Sequence, residues 1–182
     1  MWRMHTAFDW DFERVQFSDD NYAIVGRALA YAQKFEGDCR ALNSLFVVRS
    51  AVETGALSLD DDKSFGDFVT RVHELPLGQH IRQAMEFLEL PLGMISAFNL
   101  AREARNQIAH ELCLGAQFGF ETGEGRAHLV EEVSRAVRRI AEAHLVVLLI
   151  MAVQNKEDRP RADYLRGYCD RVVEWACWTE DL

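Results

Sequence analysis

The sequence predicts an all-α fold, a single bundle of about five to seven helices, and three observations carry that prediction. Only three prolines (Pro76, Pro91 and Pro160) interrupt 182 residues. The stretches between them keep apolar side chains at three- and four-residue spacing, the repeat of one helix face. No segment shows strand–turn–strand or alternating strand–helix patterning, and no internal repeat is present. At 49% hydrophobic and 27% charged, residues 1–182 have the composition of one globular domain that can bury one core.

Each element has its own signal. Residues 1–17 are rich in aromatics among acids (Trp2, Phe8, Trp10, Phe12, Phe17) and read as an N-terminal arm or short helix packed across the bundle. Ser18-Asp19-Asp20 places carboxylates at the positive end of a helix dipole. A long helix follows from Asn21 to about Thr54, continuous or broken near Gly37, with Gly55 as its C-cap. Asp60-Asp61-Asp62 lacks the glycine and downstream glutamate of a calcium loop, so it reads as an acidic cap. Ser64 to Glu74 forms a short helix stopped at Pro76, and Leu77 to Leu90 another stopped at Pro91. Leu92 opens a helix ending near Leu112. Gly115 to Gly125 reads as a loop, and its place after His110 suits a lid. Arg126 to Asn155 is apolar nearly all round, the pattern of the most buried helix. Ala162 to Trp178 should pack Tyr164, Leu165, Tyr168, Val172, Trp175 and Ala176 inward.

Composition narrows function. The amino terminus carries no signal-peptide pattern. Leu145 to Val153 is far shorter than the roughly 20 apolar residues of a membrane span. A cytoplasmic protein without membrane association is expected. Cys39, Cys113, Cys169 and Cys177 are scattered, without CxxC spacing, and read as reduced thiols. The six histidines form no ligand cluster, so neither metal nor cofactor is expected. The net charge of −9 opposes a polyanion partner, because affinity for phosphates comes largely from Lys and Arg. The balance is uneven, with 15 acidic against 9 basic side chains in residues 1–100 and 14 against 11 in residues 101–182. Arg135, Arg138 and Arg139 could face a phosphate backbone, or form a solvated face paired with Glu131, Glu132 and Glu142.

The richest stretch chemically is Ala101-Arg102-Glu103-Ala104-Arg105-Asn106-Gln107-Ile108-Ala109-His110-Glu111-Leu112. At about 100° per residue, Asn99, Arg102, Glu103, Asn106 and His110 share one side. Met94, Ala97, Ala101, Ala104, Ile108 and Leu112 share the other, and Arg105 lies on the border. Asn106 and His110 are surface neighbours four residues apart. A neutral imidazole exchanges a proton near pH 7, and a guanidinium grips a phosphate with two donors. Such a set suits phosphodiester cleavage. Arg139 to His144 repeats the spacing, but His144 opens an apolar run and reads as a core histidine.

Arg105-Asn106-Gln107-Ile108-Ala109-His110 resembles the Arg-x4-6-His signature of the HEPN superfamily (higher eukaryotes and prokaryotes nucleotide-binding). The resemblance implies a HEPN-like helical bundle that forms a homodimer and, in many members, a metal-independent endoribonuclease of toxin or phage-defence type. It further implies that His110 activates the RNA 2′-hydroxyl or protonates the leaving oxygen, and that Arg105 stabilises the pentavalent phosphate. Asn106 would orient the imidazole or the phosphate, and Arg102 would be a second RNA contact. A regulatory protein or antitoxin would be a further partner. In a subgroup a Tyr follows the His by two positions and is modified by its antitoxin, but here that position is Leu112. On one α-helix Arg105 and His110 stand about 140° apart, which a two-fold axis near the helix end would resolve by facing two copies across one cleft. Two other readings stay open. One is a catalytically silent HEPN module that binds RNA or a protein partner. The other is a helical dimer whose Arg105 and His110 are structural, paired with Glu103 and Glu111.

Overall fold

The computed structural model describes residues 18–112, 122–158 and 160–179. Among the described residues it contains seven α-helices, one π-helical turn and no strand. The helices are α1 (Ser18–Glu53), α2 (Asp62–His73), α3 (Leu77–Leu88), α4 (Leu92–Asn106), α5 (Gly123–Gln154), α6 (Ala162–Arg166) and α7 (Tyr168–Cys177). The π turn, Gln107–Leu112, continues α4. The arm expected over residues 1–17, most of the Gly115–Gly125 loop and Cys113 lie outside the described residues.

Helix ends follow local chemistry. Asp61 caps α2, its Oδ1 accepting from the Ser64 amide at 3.1 Å, so the acidic triplet serves a helix start. Gly55 terminates α1 at φ 72°, a left-handed conformation that costs glycine nothing. Pro76 and Pro91 stand at the N-caps of α3 and α4, where a missing amide is harmless. Thr122 caps α5 by accepting from the Gly125 amide at 3.0 Å. Gly123 and Gly125 therefore belong to the first turn of α5, and the loop ends earlier than its glycines suggest.

α1 crosses Gly37 without a break. Phe35, Cys39 and Leu42 are buried on either side of it, so packing carries the helix through a residue that costs about 1 kcal/mol relative to Ala. α1 and α5 run parallel, matched by Arg126–Asp20 near their starts and His144–Asp38 further along. α4 runs opposite to both: Phe98 shares an apolar wall with Leu42 and Val147, while Arg105 reaches Glu36 and Gln107 reaches Glu132. α7 is also antiparallel to α5, with Arg138–Asp170 at 2.7 Å and Ser134–Cys177 at 3.2 Å. α3 docks on the second half of α1, where Asn43 Nδ2 donates to Gln83 Oε1 at 2.9 Å and lies 3.1 Å from His80 Nδ1.

Two packing expectations are corrected. α5 is not the single most buried helix, because α1 also lines the core from Asn21 to Ser44. The apolar end of α5 is only half-buried from Leu148 to Ala152, and Val153 is exposed. Residues 162–178 do not form one helix, because the chain breaks at Gly167. That break resets the helical phase, so Tyr168 and Ala176 are buried while Tyr164 and Trp175 are exposed.

His144 is a core histidine. It is 0% exposed, and its Nε2–H donates to Asp38 Oδ2 at 2.7 Å, since a carboxylate only accepts. Nδ1 then accepts from the Tyr31 hydroxyl at 2.9 Å, and the Tyr168 hydroxyl lies 3.1 Å from that of Tyr31. Burial lowers the His144 pKa despite the opposing pull of Asp38. Burial and the nearby Arg40 charge lower that of His80. The Asp38 carboxyl is raised by burial, but hydrogen bonds from Lys34 and His144 outweigh this and lower it overall.

Two outcomes follow from this packing. Gly37→Ala should stabilise the protein by about 0.5–1 kcal/mol in urea unfolding, because an added Cβ meets nothing within 4 Å. The two buried histidines should make stability fall with acidity. Their folded pKa values lie below the ordinary 6.5, so the unfolded chain binds the extra protons as pH drops through that value. The melting temperature should decline from pH 7 to pH 5, and His144→Ala, itself less stable at pH 7, should decline less steeply.

Candidate functional site

The candidate site is built where α4 gives way to the π turn. Ala101, Ala104 and Ile108 are fully buried and set this segment on the core by its apolar stripe. Asn99, Arg102, Glu103, Asn106 and His110 are exposed along the opposite side. The polar and apolar sides thus fall as the helical projection places them, except that Met94, at the start of α4, is exposed.

Arg105 sits between the two sides and reaches across to α1. Its Nε and Nη2 donate to Glu36 Oε2 at 2.9 and 2.6 Å. Its Nη1 donates to Asn106 Oδ1 at 3.3 Å. The two charged side chains are 24% and 19% exposed, so the pair is shielded enough to outlast surface screening. Glu36 also approaches Arg40 at 3.5 Å, and a single carboxylate therefore stands between two guanidiniums. The carboxylate that Arg105 meets is thus Glu36, not Glu103 or Glu111 of the alternative structural reading. Sequence offered no signal for Glu36, which lies 69 positions away on another helix.

Gln107 ties the other flank. Its Nε2 donates to Glu132 Oε2 at 3.1 Å, and Ile108 is buried between these two ties. α1 and α5 thus each hold the segment by one polar contact, with an apolar wedge between. Arg135 pairs with Glu131 at 2.7 Å and with Glu132, and Arg138 pairs with Asp170. Of Arg135, Arg138 and Arg139, the first two therefore form a solvated ionic face.

The π turn alters the angular argument for Arg105 and His110. Its hydrogen bonds close five residues apart, where an α turn closes at four. The steps from Gln107 to His110 are consequently smaller than about 100° each, and the gap between Arg105 and His110 is less than an unbroken α-helix sets. Such turns occur frequently at functional sites. His110 is exposed and makes no hydrogen bond or ion pair with a described residue. Arg102 lies against the first turn of α3, where a Cβ on Gly78 would stand 3.3 Å from its Nη1.

The described residues contain no group of three or more His, Cys, Asp or Glu placed to hold a metal ion. None of their helices is long and apolar enough to cross a membrane. No family model matches the chain, and neither a curated protein nor a solved structure does.

The Glu36–Arg105 pair should be energetically coupled. In a double-mutant cycle with Glu36→Gln and Arg105→Gln, each single change should cost about 1.5–3 kcal/mol, the range for hydrogen bonds to charged groups. The coupling should exceed about 0.5 kcal/mol. Additive losses would show that the pair does not hold the segment.

Proposed function

We propose that the protein is a metal-independent endoribonuclease of HEPN type, of toxin or phage-defence kind, that cuts RNA at a site shared by two copies of the chain. The supporting observation is the exposed file of Arg102, Asn106 and His110 on α4 and the π turn, beside the resemblance of residues 105–110 to the HEPN signature. His110 takes the proton of a ribose 2′-hydroxyl, or gives one to the leaving oxygen. The 2′-oxygen attacks the adjacent phosphorus, the bond from phosphorus to the 5′-oxygen breaks, and that oxygen is protonated. Products carry a 2′,3′-cyclic phosphate and a 5′-hydroxyl. A homodimer would set two copies of Asn106 and His110 across one cleft, and the exposed Leu100 adds apolar contact area to that helix.

The Glu36 contact changes the expected part of Arg105. With Nε and Nη2 on Glu36 and Nη1 on Asn106, every nitrogen of the Arg105 guanidinium is already engaged, so Arg105 positions Asn106 and the π turn in this state. That same pairing favours the second reading, a catalytically silent module that binds RNA or a protein partner such as an antitoxin.

Cleavage should persist in EDTA, RNA should be cut and the same DNA sequence spared. His110→Ala should lower the rate by about 10²–10⁴-fold, the range of acid–base catalysis, while RNA binding is retained. His144→Ala should lower the melting temperature while leaving the rate per folded molecule near that of the parent. The active species should sediment as a dimer at micromolar concentration. An active monomer would remove the shared site, and cutting by His110→Ala equal to the parent would leave the binding module.

A further inference from the structure

A second feature of α4 is not explained by the chemistry at His110. Between α3 and α4 lies an open cleft of about 430 Å³ whose lining includes Arg82, Arg102, Gln79 and Asn99 over an apolar floor of Ile81 and Met85. Among the described residues no carboxylate lines it, in a chain of net charge −9. Arg40, Arg105, Arg126, Arg135 and Arg138 all meet carboxylates. Arg82 and Arg102 meet none among the described residues, although Glu86 follows Arg82 by one turn and Glu103 adjoins Arg102. Two exposed guanidiniums on facing helices, each flanked by a side-chain amide that can also donate, form a donor-rich set without a negative charge among the described lining residues.

The ground beneath them adds to that field. The Arg102 guanidinium lies over the first turn of α3, since a Cβ on Gly78 would stand 3.3 Å from its Nη1 and 3.5 Å from its Cδ. That turn holds no acidic residue, and its Pro76 cap offers no side-chain acceptor, so the positive end of α3 is not neutralised locally. The ligand this arrangement fits is a phosphate group. Among the described residues no aromatic ring lines the cleft, so they offer no stacking surface for a base. It suits the backbone of a strand better than a free nucleotide. Arg102 and His110 are eight residues apart, about 12 Å along the helix axis.

We propose that the cleft between α3 and α4 is a phosphate-binding subsite, in which Arg82 and Arg102 clamp the backbone of a single RNA strand that continues along α4 to His110. This rests on the RNA reading above. A contact remote from the scissile bond supplies binding energy that aligns the strand. Arg82 was not singled out by the sequence, because nothing in α3 shows that its polar face looks onto α4.

The test uses the full chain and a fluorescent 2′-O-methylated RNA 12-mer, which binds but lacks the attacking hydroxyl. Anisotropy titrations across a salt series compare the parent with Arg82→Gln, Gly78→Asp and the control Arg71→Gln on α2. Gly78→Asp places a carboxylate against Arg102 and suits a helix first turn, so the fold is kept, which circular dichroism verifies. Arg82→Gln and Gly78→Asp should each weaken binding roughly ten-fold and reduce the slope of log K against log salt by about 0.7 for each phosphate that is no longer neutralised. Arg71→Gln should change neither. If Arg82→Gln weakens binding no more than Arg71→Gln, while His110→Ala still abolishes cutting, the subsite is wrong and the nuclease reading stands. If the parent binds no RNA, the strand subsite fails together with the RNA reading. Calorimetry with inorganic phosphate and with uridine monophosphate supplies the other arm. Arg82-dependent binding of these alone would identify a small-anion site and overturn the strand.

Discussion

The Glu36–Arg105 ion pair is the constraint on which the candidate site depends. It joins the border of the motif helix to α1, and it is made in a place where both partners are largely withdrawn from water. Removing Glu36 would leave the Arg105 guanidinium partly buried without its carboxylate, a greater loss than the pair itself contributes, whereas Glu36 without Arg105 would keep Arg40 at 3.5 Å. Its direction also matters. By engaging two donors of Arg105 and leaving the third for Asn106, it fixes a backbone segment that would otherwise end as a frayed helix. The Gln107–Glu132 hydrogen bond on the other flank completes the restraint. His110 is then presented to solvent from a rigid base.

The helical architecture was legible in the sequence because its signals are local. Prolines stand at the N-caps of α3 and α4, Asp61 caps α2, and Gly55 ends α1 in the conformation a glycine favours. The buried stripe of Ala101, Ala104 and Ile108 likewise follows from periodicity alone. The course of α1 at Gly37 was open, continuous or broken, and core side chains on both sides keep it helical. A departure came at the end of α5. The all-round apolar character of Leu148 to Val153 did not become all-round burial, because neighbouring helices cover only part of it.

The candidate site was legible only in part. Which side chains of α4 face outward follows from one helix's own geometry, so Arg102, Asn106 and His110 could be placed. What Arg105 touches depends on how α4 meets α1, and that information is spread over the whole core. The same holds for Arg82, whose importance comes from facing Arg102 across a cleft. The His144 network is an intermediate case. An apolar neighbourhood announces a buried imidazole, and burial demands partners, but the identities of Asp38, Tyr31 and Tyr168 emerge only from three helices packed together.

The π turn has one more consequence. A turn that closes over five residues is, in effect, an α-helical turn into which one residue has been inserted. What Gln107–Leu112 stores is therefore a phase, not a side chain: losing a single residue there would let the helix relax to its ordinary pitch and swing everything beyond it around the axis. A residue lost between Arg105 and His110 would also cut their spacing from four to three intervening residues while the imidazole turned away from its neighbours. In this segment chain length is as much a determinant as chemistry.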